Sequence, residues 1–402
     1  MDAQESAVGR GRRFRGALPK LALLTVGAFV GLGVAEVLLR FVGPSFPRMA
    51  IPDQHTGARL KPGMTGVWTK EGRASFRINS AGFRDLERAE QKPDDVFRIA
   101  VLGDSFIEAL QVDRGDSVCA LLDDLLNSGA PLVDGKRVEV LSFGVSGYGT
   151  AQQLLTLRHH ARRYQPDLVV LAFFAGNDIS DNSPELANYR VKPFFRWDGE
   201  QLVLDNSFQQ DPDFIKSQQT TTHWKVALIN SSRLVQLLLE MRDSRKRAAV
   251  APAAEGPTVD DIAYVEPASP QWTAAWRVTE ELIEQVNRET RQLPADFLLV
   301  TLSTDIQAHP LETVRDERLQ RIGAADFGYF ERRLQALADD QQIPLLQLGP
   351  VFVAEAARTG EFLHGFENNA RGVGHWNHAG HQLAAREMAA AIRALAKQSD
   401  SK

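Results

Sequence analysis

The sequence predicts an α/β fold in which a parallel β-sheet is covered by helices on both faces. Five short apolar runs have the length of buried strands, and amphipathic stretches such as "TAQQLLTLRHHARRY" alternate with them. This alternation is typical of βαβ units, whose strands are apolar throughout because both faces of the sheet are buried. The runs are FRIAVLG at 97–103, VEVLSFG at 138–144, DLVVLAFFAG at 167–176, DFLLVTLS at 296–303 and PLLQLG at 344–349.

Candidate catalytic groups follow the first three predicted strands, at the sheet edge where such folds carry their sites. The first strand is followed by Asp104 and Ser105, where a helix begins. Ser105 is either a nucleophile beside unpaired helix amides or, with Asp104, an ordinary helix cap. The second strand leads to Gly147, whose backbone N–H is unshielded, and the third to the amide side chain of Asn177. Together these groups would make a nucleophile with an oxyanion hole.

Three histidines lie close together in "GVGHWNHAGH", residues 372–381. They are a metal site, a catalytic base with two bystanders, or ordinary surface residues. Histidines three residues apart can share a helix face as zinc ligands. No carboxylate or cysteine lies at a suitable spacing to provide a third ligand, so the sequence predicts no metal and no cofactor.

Composition excludes some classes of protein. The net charge of −5 and the balance of acidic and basic residues give no reason to expect a nucleic-acid partner, which would require a basic face. The single cysteine, Cys119, excludes an internal disulfide framework.

The N-terminus predicts export and membrane attachment. A basic tail, residues 1–20, precedes the apolar segment 21–42, which is long enough to span a bilayer. Flanking positive charge stays cytoplasmic, so we expect a single-pass anchor with the catalytic domain in the periplasm or outside the cell. A cleaved signal peptide is the alternative, because "GVA" at Gly33 to Ala35 resembles a cleavage site.

Two further regions divide the rest of the chain. Residues 43–95 are rich in Pro, Gly and turn residues and predict an irregular lead-in with short strands at "GVWTK" and "ASFRIN". The main domain is expected over residues 96–397. Its βα alternation is interrupted at about 180–275, which predicts an insertion at the mouth of the sheet.

Four blocks of the sequence, in order, resemble the SGNH hydrolases of the GDSL-type esterase and acyltransferase group. They are "GDSF" with Ser105, "GVSGYG" with Gly147, "AGND" with Asn177, and "HWNHAG" with His375. The resemblance covers about residues 96–397, and "INSAGFRD" resembles the lead-in of membrane-anchored members. It implies a flavodoxin-like three-layer α/β/α sandwich, with Ser105 as nucleophile and His375 as base. Ser105, Gly147 and Asn177 would then form the oxyanion hole.

The last block departs from the family pattern. Members usually have an aspartate two or three residues before the histidine, where this chain has Gly372 and Val373. The orienting group would then be a neighbour such as Glu367, a backbone carbonyl, or none. We expect His378 and His381 to be partly exposed helix residues, and Asp104 and Asp178 to support the loops of the site.

The leading hypothesis is an exported, membrane-tethered serine hydrolase that acts on an acyl ester. Its substrate would include acetylated envelope polysaccharide, which it would deacetylate or O-acetylate. The alternative, motivated by the missing aspartate, is a catalytically inactive SGNH-like envelope protein that binds glycan or a protein partner.

Overall fold

A computed structural model of the chain describes residues 5–250 and 259–399. The strands in chain order are β1 (Ala50–Asp53), β2 (Gly57–Leu60), β3 (Thr65–Trp68), β4 (Ala74–Arg77), β5 (Val96–Gly103), β6 (Arg137–Gly144), β7 (Leu168–Phe173), β8 (Phe194–Asp198), β9 (Gln201–Asp205), β10 (Asp296–Thr301) and β11 (Leu345–Gln347). The α-helices are α1 (Glu5–Val42), α2 (Ser105–Glu108), α3 (Val118–Asn127), α4 (Thr150–His159), α5 (Pro212–Ser217), α6 (Thr220–Ser231), α7 (Arg233–Val250), α8 (Pro270–Gln292), α9 (Glu312–Ile322), α10 (Tyr329–Gln341), α11 (Leu348–Thr359) and α12 (His378–Ser399).

The central sheet has five parallel strands in the order β11-β10-β7-β5-β6. Numbered along the chain within the sheet, this is the order 2-1-3-4-5 of flavodoxin-like folds. The strand at which the order reverses is β5, and it lies between β6 and β7. The predicted α/β fold with a parallel sheet is confirmed.

Side chains of the strands alternate between two cores, because successive residues of a strand point to opposite faces. Leu102 and Leu171 pack on one face with residues of α4, α8 and α10. Val101 and Val170 pack on the other face with residues of α3, α11 and α12. Trp276 of α8 is fully buried in the first core, as expected for a helix whose apolar residues recur every three or four positions.

Short antiparallel hairpins complete the region from Met49 onward. The lead-in contains β1 paired with β2 and β3 paired with β4. Its residues Phe76, Ile78 and Phe83 are buried in the same core as α4 and α8. Beyond residue 180, β8 pairs with β9 through the turn at Gly199.

The chain divides into two compact units. One unit combines Met1–Arg48 with Trp224–Val250, and the other contains the five-stranded sheet. Within the first unit, the segment Pro19–Phe41 of α1 is long and apolar enough to cross a membrane. Part of the interruption predicted at about 180–275 therefore belongs to the same compact unit as the N-terminal helix.

Candidate active site

Ser105 is the first residue of the short helix α2, two residues after the end of strand β5. The side chain of Asp104 accepts a hydrogen bond from Phe106 N at 2.9 Å and caps this helix. Two glycines allow α2 to lie close to the sheet. A Cβ at Gly103 would lie 2.3 Å from Ile107 Cγ1, and one at Gly144 would lie 2.3 Å from Glu108 N. The hydroxyl is therefore held at the carboxyl end of the sheet by close backbone packing.

His375 lies against Ser105, although 270 residues separate them in the chain. Its Nε2 is 2.7 Å from Ser105 Oγ. The preceding residue, Gly374, has a φ of +94°, and its N–H donates to Asp305 Oδ2 at 2.7 Å. This left-handed conformation favours glycine and turns the chain so that the imidazole points at the serine.

The carboxylate that orients the imidazole is Glu71, in the loop between β3 and β4. Its Oε2 lies 2.5 Å from His375 Nδ1, and its Oε1 accepts a hydrogen bond from His375 N at 2.7 Å. Glu71 is almost fully buried. Both oxygens of one carboxylate thus bind the same histidine, one through its ring and one through its backbone.

The Glu71 loop is itself held by the loop that carries His375. Asn368 Oδ1 accepts a hydrogen bond from Gly72 N at 2.8 Å, and Asn368 Nδ2 donates to Gly72 O at 2.8 Å and Thr69 O at 3.1 Å. Glu367, the carboxylate considered from sequence, is instead exposed and bonded to Arg371. Sequence reasoning missed Glu71 because "TKEGRAS" reads as an ordinary polar hairpin turn.

Several carboxylates surround the imidazole and affect its protonation. Burial alone lowers the pKa of His375, but the Glu71 carboxylate raises it, both as hydrogen-bond acceptor and as charge. The charges of Asp104 and Glu108 act in the same direction, and the pKa of His375 ends above its ordinary value. The imidazolium form is thus stabilised, as a base that accepts a proton from a serine requires.

Asn177 and Gly147 lie on either side of Ser105, in the loops that follow β7 and β6. Asn177 is half-buried beside the Asp104 carboxylate, and its Oδ1 has no hydrogen-bond partner among the described residues. Gly147 is exposed, with a φ of +79°. The neighbouring strands β7, β5 and β6 therefore bring all three sequence-predicted groups to one edge.

Two buried carboxylates hold these loops. Asp178 Oδ2 accepts a hydrogen bond from Phe174 N at 2.8 Å, which closes the turn after β7. Glu108 Oε2 accepts from Ser146 N at 2.6 Å and from Ser146 Oγ at 2.5 Å, which fixes the residue before Gly147. Burial raises the pKa of both carboxyl groups, and for Asp178 the nearby Asp104 charge raises it further. Sequence reasoning anticipated Asp178 but not Glu108.

Arg84 of the lead-in packs behind α2. Its guanidinium is buried and donates to four backbone carbonyls, those of Ala109 at 2.7 Å, Val112 at 2.6 Å, Glu108 at 3.1 Å and Ser75 at 3.4 Å. Burial lowers the pKa of Arg84 to about 10. The lead-in thus contributes both Glu71 and this support for the serine helix.

The other two histidines of the C-terminal block have different surroundings. His378 is exposed, with its Nε2 3.7 Å from Asp116 Oδ2. His381 was expected to be partly exposed, and that expectation is wrong. It is 1% exposed and packs on Trp376, because its side of the first turn of α12 faces the core. Over residues 5–250 and 259–399, no three His, Cys, Asp or Glu side chains are grouped as metal ligands.

A cavity of about 460 Å³ opens beside His375. Phe106, Phe174, Ile306 and Val373 give it apolar walls. Its polar lining includes Thr304, Asp305, His309 and Arg318, and the Tyr264 hydroxyl in its wall donates to Thr304 Oγ1 at 2.5 Å. The cavity therefore offers apolar surfaces and polar groups beside the Ser105–His375 pair.

Comparison with known proteins identifies the family. A family profile described as the GDSL-like Lipase/Acylhydrolase family matches residues 101–383, and no curated protein matches the chain. Similar solved structures include the acetyl xylan esterase AlAXEase, at 14% identity, covering 73% of this chain and 99% of that one, with a TM-score of 0.38. They also include the acetylxylan esterase Axe2 from Geobacillus stearothermophilus, at 14% identity, 74% and 94% coverage and a TM-score of 0.36. A lipase/acylhydrolase from Enterococcus faecalis has 15% identity, 74% and 96% coverage and a TM-score of 0.36. Because the profile spans well over half of the chain, the protein belongs to the GDSL-like lipase/acylhydrolase family, the SGNH hydrolases that its four sequence blocks resemble.

Proposed function

We propose that the protein is a serine esterase whose catalytic triad is Ser105, His375 and Glu71. The observation that carries the proposal is the continuous hydrogen-bond line from Ser105 Oγ through His375 to Glu71, with contacts of 2.7 and 2.5 Å. A serine nucleophile needs a base within hydrogen-bond reach and a third group that orients the base. Glu71 takes the role that an aspartate before the histidine has in other family members.

The reaction proceeds through an acyl-enzyme. Ser105 Oγ attacks the ester carbonyl while its proton passes to His375 Nε2, and Glu71 stabilises the resulting imidazolium. Collapse of the tetrahedral intermediate breaks the ester C–O bond, and His375 gives the proton to the leaving alcohol. A water molecule, deprotonated by His375, then attacks the acyl carbonyl and releases the acid and free Ser105.

The oxyanion of the tetrahedral intermediate is held by the backbone N–H groups of Ser105 and Gly147 and by the Asn177 amide. Donors that are fixed before the reaction stabilise developing charge without reorganising. Asp178 and Glu108 support this role, because each fixes the backbone of the loop that carries a donor. Asp104 caps the serine helix and keeps Ser105 at its first position.

We further propose that the enzyme is exported and anchored in a membrane by α1. The candidate span Pro19–Phe41 has a mean hydropathy of 2.1 and follows a segment with four arginines. Positive charge before a first apolar segment favours a cytoplasmic N-terminus. The catalytic domain would then act on the periplasmic or extracellular side.

The proposed substrate is an acylated sugar of an envelope polysaccharide. His375 must protonate the leaving oxygen, so the alcohol lies on the histidine side, where the cavity opens. The apolar walls and the hydroxyl and carboxylate groups of this cavity suit a sugar ring with its hydroxyls. The same acyl-enzyme can pass its acyl group to water or to a sugar hydroxyl, so O-acetylation is the related activity.

A fluorophosphonate probe tests the proposal. We expect the purified chain to be labelled at Ser105, the Ser105→Ala variant to remain unlabelled, and acetyl esters to be hydrolysed only by the former. Release of free acetate in the presence of acetylated glycan identifies the esterase, and acetate recovered on an acceptor glycan identifies the transferase. Absence of labelling in the folded protein would instead favour the inactive, glycan-binding alternative.

A further inference from the structure

The helices α6 and α7 meet at a corner that is bonded to Glu36 of α1. Glu36 Oε1 accepts a hydrogen bond from Arg233 N at 2.9 Å, and its Oε2 accepts from Leu234 N at 3.0 Å and Ser232 Oγ at 2.8 Å. The two backbone N–H groups are unpaired donors at the start of α7, so Glu36 caps that helix from a distant part of the chain. The corner, residues 231–236, is therefore fixed beside α1 at the position of Glu36 along the helix axis.

The position of Glu36 near the end of the candidate span places this corner at a bilayer surface. Glu36 lies five residues before the end of the candidate span Pro19–Phe41. At 1.5 Å per residue this is roughly 7 Å inside that end. A carboxylate at this depth is costly unless polar groups satisfy it, and the α7 backbone and Arg40 Nε, at 2.9 Å, provide those groups. A corner that binds Glu36 must therefore reach the boundary between headgroups and acyl chains.

Large apolar side chains next to this corner are exposed. Trp224 and Leu228, four residues apart on α6, are 73% and 69% exposed. Leu238 and Met241, three residues apart on α7, are 57% and 45% exposed. These spacings place each pair on one face of its helix. Tryptophan beside leucine is the composition of helices that lie in a membrane interface.

The charge at the far end of α7 favours the same surface. Arg242 and Arg245 are exposed, and the sequence continues with Lys246 and Arg247. Clustered basic residues near a bilayer attract anionic lipid headgroups. An apolar face next to a basic end is therefore complementary to a phospholipid surface.

We propose that α6 and α7 lie in the interface of the bilayer that α1 spans, with Trp224, Leu228, Leu238 and Met241 in contact with lipid. The proposal rests on the membrane anchoring proposed above and adds a second attachment to it. The occupant of this face is a phospholipid bilayer, rather than a second copy of the chain or another protein.

Spin labels measure this contact directly. The full chain, with Cys119→Ala as background, carries one cysteine in place of Leu228 or Leu238 and is reconstituted in nanodiscs of phosphatidylethanolamine and phosphatidylglycerol. Leu24→Cys in α1 serves as the membrane control, and Leu311→Cys, at an exposed leucine directly before α9, serves as the water control. Collision rates with oxygen and with a water-soluble nickel chelate give the depth of each label.

We expect labels at 228 and 238 to favour oxygen over nickel by several-fold, intermediate between those at 24 and 311. If the collision rates at 228 and 238 match those of the water control while the label at 24 is exposed to lipid, this inference is overturned and the anchoring stays intact. A water-like label at 24 would reject the anchoring itself. Low collision rates with both reagents would mean a protein partner, and dipolar broadening lost on dilution with unlabelled protein would identify a second copy. Either outcome would overturn the proposal.

A second measurement does not depend on labelling. Brominated lipids should quench part of the tryptophan fluorescence, and Trp224→Phe should remove most of that quenched part. Trp276 is fully buried and serves as the matched control, so Trp276→Phe should leave the quenched part unchanged. Equal quenching in the wild type and Trp224→Phe would count against lipid contact at α6.

Discussion

Glu71→Gln is the substitution that most sharply tests the proposed mechanism. In the native contact, one oxygen of Glu71 accepts from the His375 backbone N–H and the other from His375 Nδ1. A glutamine has one acceptor and one donor. If the glutamine oxygen accepts from the His375 backbone N–H, its NH₂ group must face His375 Nδ1. If the oxygen instead accepts from Nδ1–H, the NH₂ group must face the backbone N–H, and two donors then oppose each other.

The first arrangement places a donor against Nδ1, and this traps the imidazole in the tautomer with a proton on Nε2. Nε2 then cannot accept the proton of Ser105. The corresponding asparagine change in serine proteases lowers kcat about 10⁴-fold. We therefore expect a loss of about 10³- to 10⁴-fold in kcat, or roughly 4 to 5.5 kcal/mol in transition-state stabilisation.

The pH dependence of the variant carries a second expectation. The base must be neutral to act, so activity is lost as the pH falls through the pKa of His375. Because the Glu71 carboxylate raises that pKa, its removal should move the acidic limb of kcat/KM to lower pH. A merely structural role for Glu71 would lower kcat without moving this limb.

The assay is hydrolysis of a small chromogenic acetate ester across a pH series, with thermal unfolding as the check on folding. Glu367→Gln is the matched control, since Glu367 is exposed and bonded to Arg371 rather than to His375. Near-native kcat in Glu71→Gln, or an equal loss in Glu367→Gln, would refute the assignment of Glu71.

Three further predictions concern the oxyanion hole, the lead-in and a buried histidine. Asn177→Ala should lower kcat about 10²- to 10³-fold with little change in KM or melting temperature, and wild-type turnover would remove Asn177 from the oxyanion hole. Arg84→Met should lower the free energy of unfolding in urea by about 3 kcal/mol, because three buried carbonyls lose their donor, whereas the exposed control Arg77→Met should change it little. Burial lowers the pKa of His381 to about 3, so the unfolded chain binds one more proton between about pH 6.5 and pH 3. The free energy of unfolding should therefore decrease as the pH is lowered through this window, with a slope that approaches about 1.4 kcal/mol per pH unit. His381→Leu should reduce that dependence in acid unfolding measurements, and the exposed control His378→Leu should not; equal slopes in both would contradict the argument.

Much of the site was predictable because it depends on local sequence. The apolar runs before Ser105 and Asn177 define strands, and parallel strands bring their carboxyl ends to one edge. The order of β7, β5 and β6 follows from the flavodoxin-like connection. Ser105, Gly147 and Asn177 could therefore be assigned to one edge without coordinates.

Glu71 and His381 were not predictable in the same way. The hairpin turn of Glu71 looks like any polar turn, and its role depends on docking against a loop about 300 residues later in the chain. The burial of His381 depends on which face of α12 packs on the sheet, and its neighbours in sequence do not determine this.

By itself the sequence determined the sheet, its helices, the apolar N-terminal segment and three groups at the strand ends, since each follows from patterns a few residues long. Only the tertiary structure decided which carboxylate orients His375 and which helix Glu36 caps. Those contacts join segments that no local pattern links, and they form when the packing of two distant surfaces brings a carboxylate to its hydrogen-bond partners.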